Sequence, residues 1–357
     1  MARTVLFAEV PGFYAAVERA EDPSLAARPV IVGGDPRKRG HVQAATSDAL
    51  EAGVRIEMSM LEALQRCPQA RAVRTNMRHY RETSRRLLLT LRGVHARLEP
   101  FGLGGAYAEF NRAVPAVESI AAAMHAAVRA ELGLPLRVGL GSGKFLARLA
   151  AEGVAEDEGG VAHIPHGEEQ RFLAPLDVMC LDGVGRKTAA TLATLGAGCI
   201  GDVAALGRAR LEELFGAHGV RIHACATGRD DEPVRAAPHP QSISRESTVR
   251  SEPLDLVVLL EQLAGLAQQL EGELRRQALE AGKVTLKLRY ADQGMSTRSR
   301  KLTTTLARSA ELLSVAEQLL RRTQAGARPV RGLGLQLSAL VPAGEGDRQL
   351  DLFRAGS

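Results

Sequence analysis

The chain has 357 residues, 45% hydrophobic and 24% charged, which is ordinary globular usage; it excludes a disordered or fibrous chain and, by length, favours two to four compact units. Its longest apolar runs, such as Leu256–Leu260, fall far short of the roughly 20 residues of a membrane span, and Met1-Ala2-Arg3-Thr4 opens no secretory signal, so a cytoplasmic protein without a membrane partner is expected. The net charge of +5 is concentrated: residues 242–342 carry 15 Lys and Arg against 10 Asp and Glu, the excess expected of a segment that follows a phosphate backbone.

Thr4–Val10 is a short apolar strand, and after the Pro11-Gly12 break Phe13–Arg19 carries apolar residues at helical spacing. Pro29–Gly33 and Gly40–Ala45 are predicted strands and Ser47–Ala52 a short helix closed by Gly53. Leu87, Leu88, Leu91, Val94 and Leu98 form one apolar face of a helix predicted over Tyr80–Leu98, and Ala106–Phe110 is a strand after a Gly-rich turn. Helices over Ile120–Leu132 and Lys144–Ala151 flank a strand at Leu136–Leu140, so this region is α/β. Leu176–Ala226 is helical with Gly punctuation, and Gly228–Gln241 is a polar, Pro-rich linker.

Beyond the linker, leucines at 256, 259, 263, 266, 270 and 274 mark a helix. Val284, Leu286 and Leu288 then alternate with Lys283, Thr285, Lys287 and Arg289 in a half-buried strand. With Ser244–Arg250, Arg298–Leu306, Leu312–Leu320 and Val330–Leu340 the order is β-α-β-β-α-β, a ferredoxin-like unit with Lys and Arg on one sheet face. Cys67, Cys180, Cys199 and Cys225 form no C-x-x-C pair, so they are expected to be core thiols, with no metal and no disulfide framework.

Gly183-Val184-Gly185-Arg186-Lys187-Thr188 opens a helix with two glycines and two cations, as a helix-hairpin-helix turn does when its backbone N–H groups hold a phosphate without reading sequence. The predicted Thr191–Leu195 helix, Gly196–Gly201 turn and Asp202–Leu206 helix supply a second hairpin. Gly183, Gly185, Arg186 and Lys187 are therefore candidate contacts to a DNA backbone, together with Arg289, Arg298, Arg300 and Lys301 in the C-terminal unit.

The order of elements resembles the Y-family translesion DNA polymerases over nearly the whole chain. The matching stretches are Phe13–Glu18, Asp22–Leu25, Arg28–Gly34, Leu98–Phe101, Gly183–Thr188, Gly228–Val234 and Ser242–Glu246. The resemblance implies an α+β and α/β right hand of palm (1–10 and 76–166), fingers (11–75) and helix-hairpin-helix thumb (167–233). A linker (234–241), a little finger (242–342) and a tail (343–357) follow, with damaged or primer-template DNA as partner.

The family's catalysis needs three carboxylates converging on two divalent ions. Here Glu9 stands at the first-strand position, Pro11 replaces a second Asp, and Gly104 and Gly105 stand where the resemblance places the adjacent Asp and Glu. Glu109 lies on the same strand face as Gly105 but about 13 Å along it, out of reach. Ser47 and Leu50 occupy the positions of the family's triphosphate-holding Tyr and Arg, and the acidic stretch Ala155–Glu158 replaces a palm Lys. Tyr14 matches the aromatic that gates the ribose.

The tail carries Gln349-Leu350-Asp351-Leu352-Phe353, which resembles the peptide by which bacterial replication proteins bind the sliding clamp; Leu352 and Phe353 would anchor in a groove and Gln349 hydrogen-bond at its rim. The sequence thus predicts a non-catalytic homologue similar to ImuB-type clamp-binding adaptors, working with an active translesion polymerase and a RecA-like protein and needing no cofactor. Two other readings stay open: a weakly active polymerase with a rearranged metal site, for which Mg²⁺ would be required, and a plain primer-template binder.

Overall fold

The computed structural model describes residues 3–38, 40–111, 114–155, 159–235, 242–249 and 255–344. The chain divides into two compact units, Met1–Ala237 and Pro238–Ser357. The first opens with the buried strand β1 (Thr4–Glu9) and helix α1 (Phe13–Glu21), entered through a left-handed Gly12. A small lobe follows: β2 (Val30–Gly33), β3 (Val42–Ala45), α2 (Ser47–Glu51), α3 (Met60–Arg66) and β4 (Arg71–Arg74), with β2 antiparallel to β3 and parallel to β4. Ile31, Val42, Val54, Met60 and Cys67 fill its core.

Next come α4 (Met77–Val94), β5 (Glu99–Phe101), β6 (Gly105–Phe110), α5 (Val114–Leu132), β7 (Arg137–Gly141), α6 (Lys144–Glu152) and β8 (Gly160–His163). Asn76 caps α4 by accepting a hydrogen bond from the His79 N–H. The helix stops at Val94, four residues short of the predicted end, because Gly93 weakens its last turn and His95 is extended; Leu98 is nonetheless buried. α5 begins six residues earlier than its apolar periodicity indicated, with Pro115 in its first turn, where the missing N–H costs nothing.

The strands form a sheet in the order β5-β6-β1-β7-β8, with β1 antiparallel to both neighbours. Its two faces do different work. Leu6, Ala8, Ala106, Ala108, Val138 and Leu140 face the apolar sides of α4 and α5. Val5, Phe7 and Tyr107 face α6, whose Ala147 and Ala151 reach the sheet. That approach requires glycine: a Cβ on Gly139 would lie 1.9 Å from the Ala147 carbonyl oxygen.

The rest of the first unit is helical: α7 (Glu169–Leu173), α8 (Arg186–Thr194), α9 (Ile200–Leu206), α10 (Arg208–Phe215) and α11 (Ala217–Ala226). Leu173, Leu192, Ile200, Val203, Leu211 and Ile222 pack with Phe145, Leu146 and Leu149, the far side of α6.

The second unit contains β9 (Ser242–Thr248), α12 (Leu256–Gln277), β10 (Leu279–Tyr290), β11 (Met295–Leu306), α13 (Ser309–Leu320) and β12 (Val330–Pro342). The β-α-β-β-α-β order is the expected one, and the strands pair antiparallel in the order β11-β10-β12-β9, which puts the last strand inside the sheet. Val284, Leu286, Leu288, Leu333, Leu335 and Leu337 form with α12 and α13 one apolar core. Among the described residues no helix is long and apolar enough to cross a membrane.

One segment departs from the sequence reading. The start of the expected linker, through Arg235, is bound down against the central sheet. Asp230 accepts the Phe145 N–H at 2.8 Å and so caps the first turn of α6, Arg3 donates to the Asp230 carbonyl at 2.8 Å, and Glu99 accepts the Arg235 N–H at 2.6 Å. Lys144 Nζ, itself buried, reaches Glu99 at 2.8 Å and Glu232 at 3.2 Å. Polar, Pro-rich composition suggested a free linker, but its acidic residues meet fixed donors.

Glu109 belongs to the same strap, receiving Arg3 and the Val234 N–H, each at 3.1 Å. Burial works to raise its pKa, but these two hydrogen bonds and the charges of Arg3 and Lys144 outweigh it, leaving the carboxyl below its ordinary 4.5. A group depressed in the folded state stabilises above its unfolded pKa and loses that contribution as pH falls through the folded value. Wild-type stability in urea should therefore fall more steeply between about pH 7 and about pH 3.5 than that of Glu109→Gln; parallel profiles would show the strap does not depend on this charge.

Candidate functional site

Glu9 ends β1, and the register sets Gly105 of β6 on one side of it and Arg137 of β7 on the other. Arg137 donates to Glu9 Oε1 from Nε at 2.8 Å and from Nη2 at 2.5 Å, and both side chains are mostly shielded from solvent. The Val10 N–H donates to the Gly104 carbonyl at 2.8 Å, which fixes the β5–β6 turn beside the end of β1. A Cβ on Gly104 would lie 2.8 Å from Phe13 Cβ, and one on Gly105 would lie 3.0 Å from the Ala8 carbonyl oxygen and 3.2 Å from Glu9 Cβ. The fold thus brings together the three positions singled out from sequence. One carboxylate is present there, and it is engaged by a guanidinium.

The fold family implies divalent cations at this place, and the donor set does not fit them. Glu9 accepts two hydrogen bonds from a cation, Gly104 and Gly105 carry no ligand atom, and Glu109 is committed to Arg3 and the strap. Among the described residues no group of three or more His, Cys, Asp or Glu could hold a metal ion.

Beside Glu9, a cavity of about 370 Å³ is lined by Gly12, Tyr14, Ala44, Leu50, Ile56 and Gly104 among others. Tyr14 lies flat on the buried Tyr80 (centroids 4.5 Å, 11° between planes), whose hydroxyl donates to Glu18 at 2.6 Å. Burial and that carboxylate push the Tyr80 phenol up, so it stays a neutral donor. Leu50 gives the cavity an apolar wall. Ser47 does not share it: it lines a second cavity of about 650 Å³, where Arg19 is paired with Asp48 at 2.6 Å. The two positions read as one triphosphate grip therefore open onto different spaces. Of the acidic stretch, Glu156–Glu158 lies outside the described residues.

The helical segment presents the Gly-rich turn as the sequence suggested, with Gly185 as N-cap of α8 and Arg186 and Lys187 exposed in its first turn. That turn's leading N–H groups have no intrahelical acceptor and face outward. Gly183 is left-handed (φ +87°) with its carbonyl 3.0 Å from a His218 ring nitrogen, and a Cβ there would meet that ring at 2.7 Å. α8 and α9 form the second hairpin, with α8 starting five residues before the expected Thr191.

In the second unit the pleat divides the candidate contacts between the two faces of the sheet. Arg298 and Arg300 pair in register with Leu286 and Val284, so they share the face covered by helices. Arg298 Nε donates to the Arg322 carbonyl at 3.0 Å and Arg300 to the Gln318 side chain. Lys301, opposite Lys283, lies on the open face with Lys287 and Arg289; Arg289 is 3.6 Å from Glu246. Lys283 and Lys287 were missing from the candidate contacts although their alternation with Val284 and Leu286 carried the signal. The motif Gln349, Leu350, Leu352 and Phe353 lies outside the described residues.

Comparison with known proteins agrees with this architecture. Residues 9–152 match the impB/mucB/samB family and residues 240–352 its C-terminal domain. The chain belongs to the Y-family DNA polymerases, with their palm, fingers, thumb and little finger. It is 35% identical to a DNA polymerase IV of Halorhodospira halophila over 99% of both chains, and 33% identical to one of Dehalococcoides mccartyi over 94% of this chain and 87% of that one. Among solved structures, a Y-family DNA polymerase chimera superposes with a TM-score of 0.82 at 23% identity, covering 95% of this chain and 99% of that one. An insertion ternary complex of Dbh DNA polymerase gives 0.73 at 22% identity over the same shares.

Removing one partner from a shielded ion pair leaves the other charge uncompensated. Arg137→Met should lower the unfolding free energy by about 2 kcal/mol, and adding Glu9→Gln should recover part of that loss in the same denaturation experiment. Equal stability of Arg137→Met and wild type would mean that water solvates Glu9 equally well.

Proposed function

We propose that this chain is a non-catalytic Y-family homologue, similar to ImuB-type adaptors, that binds primer-template DNA and the sliding clamp in translesion synthesis. The observation that supports it is the end of β1: Glu9 bonded to Arg137, with Gly105 opposite it and Phe13 packed over Gly104. Without metal neutralisation of a transferring phosphoryl several kcal/mol of transition-state stabilisation are forfeited, roughly three or more powers of ten in rate. The apolar wall at Leu50 adds no donor for phosphate oxygens. The role would then come through partners: an active translesion polymerase and a RecA-like protein at stalled replication sites in the cytoplasm. A weakly active polymerase that uses Mg²⁺ at a rearranged site is the competing reading, since the relatives carry the name DNA polymerase IV.

The open face of the little finger, with Lys283, Lys287, Arg289 and Lys301, and the exposed N-terminus of α8 suit a duplex backbone bound without sequence preference. Primer extension with Mg²⁺ or Mn²⁺ should give no template-directed incorporation, while primer-template DNA is bound with a steep dependence on salt. Extension that disappears in Glu9→Ala would establish the competing reading instead.

The tail is expected to dock Leu352 and Phe353 in the groove of the clamp, each worth about 2 kcal/mol or more. Replacing both by Ala should abolish clamp binding in calorimetry and leave DNA affinity unchanged. Wild-type clamp affinity in that variant would remove the adaptor role and leave a plain DNA binder.

A further inference from the structure

Helix α4 buries Tyr80, Thr83, Ser84, Leu87 and Leu91 against the palm. At about 100° per residue, Arg78, Arg81, Arg85 and Arg92 fall within an arc of about 60° on the opposite side, in a row about 21 Å long. All four are exposed, and no hydrogen bond or ion pair joins any of them to another described residue. Elsewhere in this protein several exposed helical arginines are paired with a glutamate three or four residues away: Arg66 with Glu62 at 2.8 Å, Arg210 with Glu213 at 2.6 Å, Arg321 with Glu317 at 2.7 Å. On α4 Arg78, Arg81 and Arg85 follow one another three and four residues apart, so like charges oppose the helix, while Glu82, exposed beside Arg78 and Arg85, is bonded to neither. Leu89, 65% exposed, lies on the same row.

The row is on the far side of the palm sheet from Glu9. α4 covers the face of Leu6 and Ala8, whereas Glu9 alternates with them and lies on the face of Phe7 and Tyr107. It is therefore separate from any primer terminus held at Glu9.

We infer that this ridge is a second nucleic-acid surface and that it takes single-stranded DNA. A narrow line of cations spaced about 4.5, 6 and 10.5 Å along the helix axis suits the phosphates of one strand better than the breadth of a duplex, and each contact releases a counterion. The single exposed Leu89 offers a small apolar surface against which a base can rest. An acidic protein partner is disfavoured because the row lacks the apolar centre that protein interfaces use.

The test loads the full-length chain onto a bead-bound primer-template duplex and then offers a fluorescent oligothymidylate of about 30 nucleotides. Wild type should capture the oligonucleotide. The quadruple variant R78Q/R81Q/R85Q/R92Q should stay on the beads and capture about tenfold less, and the matching Arg→Lys variant should capture within about twofold of wild type. The inference is overturned if the Gln variant captures as wild type does, if wild type on the beads captures none, or if the Gln variant leaves the beads, which would assign the row to the duplex site. Should wild type itself fail to hold the duplex, the DNA-binding reading above fails separately. The ridge is then judged by direct titration with the oligothymidylate, where a Gln variant of unchanged affinity overturns it.

Discussion

Much of the first unit hangs on the close approach of helix α6 to the palm sheet. Two backbone surfaces can come this near only where no side chain separates them, and Gly139 and Gly141 provide that absence beside Ala147. Once α6 is seated, its other side, Phe145, Leu146 and Leu149, becomes the floor on which the thumb helices pack. The Asp230 carboxylate accepting the Phe145 N–H and Lys144 held between Glu99 and Glu232 then tie the chain that leaves the thumb back to the palm. Sheet, helix and strap form one continuous structure, so the end of β1 is held in place from behind as well as by its neighbours in the sheet.

That rigidity gives the Glu9–Arg137 pair its meaning. In a mobile, solvated setting a carboxylate and a guanidinium add little to stability, since water serves both nearly as well. Here the strands fix the two groups side by side in shielded surroundings, where an uncompensated charge is costly and a bidentate partner removes that cost. An arginine across the sheet therefore neutralises this carboxylate. The pair also shows why a carboxylate alone is a poor sign of a metal site: what matters is which cation the neighbouring strand already provides.

The sequence was most informative where a period or a shared pattern spoke directly. The alternation around Val284 gave the strand and its basic face, and the leucine spacing gave α12. It was least informative where pairing across the fold decides. Arg137 sits 128 residues from Glu9, and nothing local to Leu136–Leu140 announced that it would lie opposite. The strap was hidden for the same reason, since its donors, Arg3, Lys144 and the Phe145 N–H, come from other elements. Arg298 and Arg300 were grouped with Lys301 because basic residues were counted along β11 without following the pleat, which turns alternate side chains to opposite faces.

The packing of Phe13 over Gly104 bears on the routes by which such a site could change. Phe13 packs in the same core as Leu6, Ala8 and Ala106, and its Cβ and Cγ lie in the space that a side chain at 104 would enter. A side chain introduced there requires the ring or the β5–β6 turn to shift, and shrinking the ring instead would leave a void in the core. The β5–β6 turn and the start of α1 are thus fitted to one another, and a substitution at either position is felt first in how the other sits.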